Sequence, residues 1–463
     1  MIVGVKMTSD KPVKSQGFDY RSVLGAWIND VCSVPRIGQW PSIELDETLE
    51  RDLAGYFDVM KDLKLDFIVL AGLLVTHNWQ PDFAATVSPQ RAKAVRRILA
   101  AAHQRNVKVL YGLGLYSWGF YDIIKADPGV RGTNPYVMCG SSEASHDTME
   151  RLMDYLVSEF PVDGFHFESA DNGRCECDQC KPKGDSLYHR ELNERMGKYV
   201  HSKWPEMPIE VYCPIQRGNK EDWLIWADAS KHFTFFIDPY DFARRFGRNS
   251  RKEIVSAFQC AYGTRSGTWI YPPQRWDRLR WFVPIIEKRA VHYQNLAADG
   301  GKAVIIQGTP LANPGEEASL RCSGKLASDY SRRVESVLVE VMEEMFRPRR
   351  RIVAEDLADI FWSAEKAYWC NANFLTEGGE LLLEPLFGAG KAPGPPIYLE
   401  TRMYAHDIDL YERAMMDIKR RFLSLQDELG DRDRASRVVT CLNNVLEDIG
   451  GIKARHSMLP CPF

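Results

Sequence analysis

No run of apolar residues in this chain approaches the roughly 18 needed to cross a bilayer as a helix, so no membrane partner is expected. The opening stretch MIVGVKMTSDKPVKSQG lacks the apolar core of a secretory signal, and a cytoplasmic address is expected. Charge of one sign is missing too. A formal net charge of -4 over 463 residues offers no basic surface to nucleic acid. There is no internal repeat and no long low-complexity tract. No glycine-rich phosphate fingerprint follows the first candidate strand, which argues against an open dinucleotide-binding sheet; no organic cofactor is expected. The 11 cysteines are odd in number and scattered, one cluster aside. That pattern fits reduced thiols, not a disulfide framework.

What the chain does have is an alternation of strand-length apolar runs with amphipathic helices. The candidate strands are Val23–Ile28, Phe67–Leu74, Lys108–Leu115, Gly164–Glu168, Ile209–Cys213, Thr234–Ile237, Thr268–Tyr271 and Ala303–Gln307. Helices are predicted over Leu49–Leu63, Pro89–Arg105 and Thr148–Phe160. Such alternation implies parallel βα units, and eight of them a (β/α)8 TIM barrel over residues 1–315. Residues 316–463 read as a mainly helical C-terminal domain, with helices over Ser319–Phe346 and Val353–Phe374. Ile408, Tyr411, Met415, Ile418, Phe422, Leu425 and Leu429 then recur at spacings of three and four, a helical seam. It packs either on its own chain or against a second copy, as a homodimer.

The stretch Val162–Cys180, VDGFHFESADNGRCECDQC, concentrates the chemistry. Side chains alternate along a strand, so His166 and Glu168 share one face and Phe165 and Phe167 the other. The aromatic face should pack on the surrounding helices. Glu168 should then stand at the C-terminal mouth, where a barrel of this kind keeps its active site, and His166, one layer deeper, either binds substrate or only hydrogen-bonds to and orients Glu168. A carboxyl at the end of a buried strand is costly unless something there needs it. Asp171 begins the following loop, where Asp-Asn-Gly is also ordinary turn chemistry.

Other strand ends supply Trp27, His77, Trp79, Tyr116, Trp118, Arg217, Asp238, Tyr240, Tyr271, Arg275 and Trp276. Together they describe a mouth of aromatics and acids, suited to stacking on and hydrogen-bonding to a carbohydrate substrate. Glycoside hydrolysis needs two carboxyl groups. Glu168 is the candidate general acid, with Asp238 or Asp171 as its partner. The seventh candidate strand, TWIYPP, carries no nucleophilic Glu. Arg174, Arg217 and Arg275 could grip a substrate carboxylate, which makes a uronic acid a candidate substrate.

Cys175, Cys177 and Cys180 form a C-x-C-x-x-C cluster. Three thiols this close can hold a soft cation such as zinc, which wants four ligands. The fourth could be His189, Cys139, Cys213 or water. A closed site would be structural and an open one catalytic, and the cluster could also hold no metal.

The block from Tyr111 to Cys180 carries YGLGLYSWG, then NPYVMCGS, then DGFHFESADNGRCECDQC. It resembles barrel glycosidases of the broad hexosaminidase and α-glucuronidase type, including uncharacterised proteins with a strand-four acid before a C-x-C-x-x-C loop. The resemblance implies a strand-four general acid, matched by Glu168. The adjacent Asp-Glu pair of hexosaminidases is absent, since Phe167 precedes Glu168. α-Glucuronidases use a strand-four Glu with an acid from a later strand, which Asp238 could match. Two rivals stand beside a glycoside hydrolase. One is a metal-assisted lyase or epimerase on a sugar acid. The other is a non-catalytic sugar-binding barrel.

Overall fold

The computed structural model describes residues 16–27, 43–75, 78–168, 173–212, 220–226, 229, 232–237, 248–258, 261–263, 281–308, 310–371 and 405–456. Strands and helices alternate from the start. The order is β1 (Tyr20–Trp27), α1 (Glu47–Asp62), β2 (Phe67–Ala71), α2 (Phe83–Thr86), α3 (Pro89–His103) and β3 (Lys108–Leu113). Next come α4 (Tyr121–Ala126), α5 (Glu143–Glu159), β4 (Gly164–Glu168), α6 (Gly184–Lys203) and β5 (Ile209–Tyr212). The second half runs α7 (Lys220–Leu224), β6 (Thr234–Ile237), α8 (Arg248–Phe258), β7 (Ala261–Gly263), α9 (Glu287–Asp299) and β8 (Ala303–Gln307).

All strand pairs are parallel, and the order β1 to β8 closes on itself through β1 and β8. The wall is uneven. From β8 through β1 to β5, six strands form a curled sheet with four or five paired positions at each seam. The short β6 and β7 complete the ring, with only two paired positions between them. The seventh strand is a correction. Among the described residues it is Ala261–Gly263, which was not expected, and the expected Thr268–Tyr271 lies outside the described residues.

The interior and exterior of the wall are separate cores. Leu24, Val69, Leu110, Ala303 and Ile305 fill the lumen with Tyr20 and Phe67. The opposite faces, including Val23, Ile68, Leu70, Phe165 and Phe167, pack on the helical ring. Helix starts are capped as their sequences dictate: Asp46 accepts from Leu49 N at 2.8 Å, and Ser88 caps α3 ahead of Pro89. Arg91 donates to the carbonyls of Gly72, Leu73 and Ile43, tying the end of β2 to the helix beside it.

The C-terminal helices are α10 (Pro314–Ser328), α11 (Val334–Phe346), α12 (Arg351–Asn371), α13 (Ala405–Leu425) and α14 (Arg432–His456). The expected division at 315/316 falls inside α10, which follows β8 and packs on it. The single helix expected over Ser319–Phe346 is two, broken after Ser328. The seam on α13 is buried within the chain: Tyr411, Met415, Ile418 and Phe422 all join the common core. These four seam residues therefore pack within the chain.

Two polar contacts lock these helices down. Arg434 on α14 forks onto Glu317 of α10, with N–O distances of 2.9 and 3.1 Å. Glu365 of α12 is buried at the start of α9 and accepts from the backbone N–H groups of Ile286, Glu287 and Lys288 at 2.9, 2.9 and 3.1 Å. An acid placed there satisfies donors that a helix start leaves open and meets the positive end of its dipole. We expect Glu365→Ala to leave those N–H groups buried and unpaired, costing about 1–3 kcal/mol. Denaturant titration checks this; an unchanged midpoint would mean that the cap carries no stability.

Candidate functional site

Strand β4 points its two kinds of face as the alternation requires. Phe165 and Phe167 stack outward at 6.0 Å in the helical core. His166 and Glu168 share the inward face. Glu168, half-buried, ends the strand at the C-terminal rim. Its carbonyl accepts from Leu115 N at 3.2 Å, extending the β3–β4 pairing to the mouth. One layer down, His166 is 2% exposed, and its Nδ1 lies 3.2 Å from Oε2 of Glu210, which is fully buried on β5. The other carboxylate oxygen of Glu210 accepts from the Tyr20 hydroxyl at 2.6 Å. Burial and the neighbouring Glu210 push the Tyr20 phenol well above its ordinary range, so it stays a donor. Sequence reasoning missed Tyr20 and Glu210. The available signal was an acid at an inward position of a buried strand.

The aromatics divide into platform and packing. Beyond β3 the inward position is Gly114, and a Cβ there would come within 2.5 Å of the Trp118 indole. Trp118 therefore lies over Gly114, just past the end of β3. It shares a shallow cleft of about 290 Å³ with Asn78, Gly119, Tyr121 and Tyr136. Tyr121 and Tyr136 are 45% and 58% exposed and stack at 6.1 Å. Tyr136 was not a candidate from sequence, because it sits in a loop far from any strand end.

Trp79 is a correction. It is 2% exposed and packs edge-on against Phe83 and Tyr155, so it cannot wall a substrate. Tyr116 is another. It is buried, with its hydroxyl 2.5 Å from Nδ1 of His146 on α5. Its φ of +58° is a left-handed conformation that a non-glycine residue adopts at a cost, here to turn the chain out of β3. Burial holds His146 down at about 4, so it meets that hydroxyl as a neutral ring. We expect Trp79→Ala to cost about 3–5 kcal/mol of stability and to leave the Michaelis constant of any substrate unchanged. A raised constant at full stability would return Trp79 to the site.

Arg174 lines a cleft of about 630 Å³ with Thr133, Asn134, Gly173, Glu176 and Asp185. It donates to the carbonyls of Cys180 and Lys181 and pairs with Asp185 at 2.5 Å, pinning the cysteine loop. His77, Asp171, Arg217, Asp238, Tyr240, Tyr271, Arg275 and Trp276 lie outside the described residues, as does the side chain of Trp27.

Cys175, Cys177 and Cys180 meet a fourth thiol, Cys139 from the loop between α4 and α5. All four sulfurs lie within 4.8 Å of one another. His189, a candidate fourth ligand, is not in this group, and Cys213 lies outside the described residues. Cys139 and Cys177 are 3.8 Å apart, far beyond a disulfide bond. A tetrahedron of sulfurs with metal–sulfur arms of about 2.3 Å has edges of about 3.8 Å. The donor set therefore fits a four-coordinate soft cation. Ser141 sits among the thiols, with Oγ 3.2 Å from Cys139, 3.6 Å from Cys177 and 3.3 Å from Cys180. Its hydroxyl holds Cys177 down at about 6, while burial pushes Cys180 up to about 12. Four thiolates side by side would repel one another; a bound cation is what lets all of them deprotonate.

No family model matches this chain, and no curated protein does. Solved structures do. A GH138 enzyme targeting pectin rhamnogalacturonan II superposes with a TM-score of 0.61 at 10% identity, covering 95% of this chain and 58% of that one. CpGH84B gives a TM-score of 0.51 at 10% identity, over 95% of this chain and 70% of its own. This chain thus spans little more than half of the GH138 enzyme. At such identity the likeness is one of fold: the protein shares the barrel architecture of these two structures.

Proposed function

We propose that the protein is a glycoside hydrolase that cleaves a small oligosaccharide or glycoside, with Glu168 as general acid. The observation that carries this reading is the placement of Glu168. It is half-buried at the C-terminal rim of a parallel barrel, above an enclosed lumen. The exposed Tyr121 and Tyr136 suit the apolar faces of pyranose rings, and Asn78 suits their hydroxyls. The fold shared with a GH138 enzyme and CpGH84B supports the same reading. Asp238 or Asp171 supplies the partner carboxyl. A uronic acid remains the favoured acidic substrate through Arg174, Arg217 and Arg275. A cytoplasmic address would suit short imported sugars. No helix among the described residues is long and apolar enough to cross a membrane.

We infer in addition that Cys139, Cys175, Cys177 and Cys180 hold zinc as a structural clamp. Four thiols fill every position of a tetrahedral ion, leaving no open place for substrate or water. That closure speaks against a lyase or epimerase that polarises its substrate on this metal. The test is incubation with neutral, amino and uronic acid oligosaccharides, with products weighed by mass spectrometry. Cleavage with gain of one water supports the hydrolase. Isomerisation or elimination supports the lyase or epimerase, and tight binding without turnover a sugar-binding barrel.

A further inference from the structure

Four thiolates around one dication still carry negative charge, and Cys175 and Cys180 are fully buried. Charge held away from water is costly unless hydrogen-bond donors meet it. Here the loop between α4 and α5, which also carries Cys139, supplies two hydroxyls. Ser141 Oγ lies 3.2 Å from the sulfur of Cys139, 3.3 Å from that of Cys180 and 3.6 Å from that of Cys177. Cys175 is met by Thr133, whose backbone N–H donates to the sulfur at 3.5 Å and whose Oγ1 lies 3.8 Å from it. The Thr133 hydroxyl accepts from Glu176 N at 2.7 Å, so its own proton is left to point at the sulfur. The two hydroxyls together reach all four sulfurs. Between a thiol and a hydroxyl either partner can donate. Once the sulfurs lose their protons to bind a cation they only accept, so the Ser141 hydroxyl must then be the donor.

We propose that Ser141 is a positioning residue of the cysteine site, its hydroxyl donating to thiolate sulfur and, with Thr133 on Cys175, offsetting the negative charge of the loaded site. The proposal rests on the reading of Cys139, Cys175, Cys177 and Cys180 as a zinc site. Ser141 is not itself a ligand, since the four thiols already fill a tetrahedron. It acts through the sulfurs it touches. Its two shortest contacts are to Cys139 on its own loop and to Cys180 on the other. The hydroxyl therefore ties together the same two segments that the ion joins, and it orients their sulfurs for the ion. Groups that hold metal ligands in this way typically change metal affinity about 10–100-fold when removed. A donor also stabilises the lone pairs of the sulfur it meets. More energy is then needed to move an electron from that sulfur to a bound metal, which makes the contact visible in a spectrum.

The test needs no substrate, so it can fail or succeed whatever reaction the protein performs. The full chain is prepared as wild type, Ser141→Ala and Ser141→Thr, and each is loaded with zinc alone or cobalt alone. Metal per chain is measured first. Affinity follows from competition with a chromophoric chelator, and circular dichroism confirms that the variants are folded. Ser141→Ala should bind zinc about 10–100-fold more weakly than wild type. Its sulfur-to-cobalt charge-transfer bands should move to lower energy, because a thiolate without its donor gives up an electron more easily. Ser141→Thr keeps the hydroxyl and should stay close to wild type in both respects. Wild type that takes up neither ion would remove the site and the proposal with it. Wild type that loads, with Ser141→Ala equal to it in affinity and spectrum, would overturn the proposal and leave the site standing. So would weaker binding with unmoved bands, which is a packing effect, or a loss that Ser141→Thr shares.

Discussion

Glu168→Gln should lower the turnover of the natural substrate by about 10²–10⁴-fold, the span that a positioned general acid contributes. The substitution keeps the shape of the side chain but replaces one carboxyl oxygen with an amide nitrogen, which has no acidic proton to deliver. The half-buried rim position should tolerate it, leaving the thermal midpoint close to wild type. The sharper form of the expectation lies in the leaving group. A sugar alcohol leaves poorly without protonation, whereas a nitrophenolate needs little help. The variant should therefore lose less than about tenfold on an activated aryl glycoside while losing the full factor on the natural one. Steady-state kinetics on both substrates decides this. An equal loss on the two would make Glu168 a binding or nucleophilic group. No loss on either would make it structural, and the acid would have to be sought among Asp171 and Asp238.

The barrel is legible in the sequence where strands are long enough to show a period. Gly164–Glu168 is placed to the residue, and its inward and outward faces follow from alternation alone. The failure at β7 has a plain cause. Three residues, Ala261–Gly263, are too few to show any period, and a glycine ends them, while TWIY nearby has the stronger β composition. The site is legible less evenly. Glu168 follows from topology, because every strand of a parallel barrel ends at the same rim. Which aromatics reach that rim does not follow. Trp79 turns into the packing between α2 and α5, and Tyr116 bends back to His146, whereas Trp118 returns over Gly114. These outcomes depend on loop paths that no local spacing encodes. Cys139 shows the same limit. It lies 36 residues before Cys175 and meets the cluster only because β3 and β4 are neighbours, which brings their two loops together. The helical seam was visible, but its partner was not: the same pattern serves a self-packed helix and a dimer.

The cysteine site carries the second large expectation. Protein purified without chelator should contain one zinc per chain, and Cys139→Ser should lose most of it, because a serine hydroxyl is a poor ligand for a soft ion. Structural zinc of this kind binds with an apparent free energy of about 10–16 kcal/mol at neutral pH, more than the whole stability of many domains. Here most of the chain has its own core, so loss of the ion should not unfold the barrel. It should free what the ion joins: the loop around Cys139 and the loop from Gly173 to Lys183. Those segments should exchange amide hydrogen at least about tenfold faster in the variant, with β1 to β4 unchanged. Activity should fall with them, since the second loop continues directly from β4 and Glu168. Cobalt offers a check on geometry. Four thiolates around it give strong visible absorption of tetrahedral type, whereas a site open to water gives a weaker band that responds to added ligand. A cobalt spectrum that shifts on adding a sugar acid would revive the metal-centred lyase or epimerase. A spectrum indifferent to it, together with lost activity in Cys139→Ser, would fix the ion as the clamp that holds the rim in shape for Glu168.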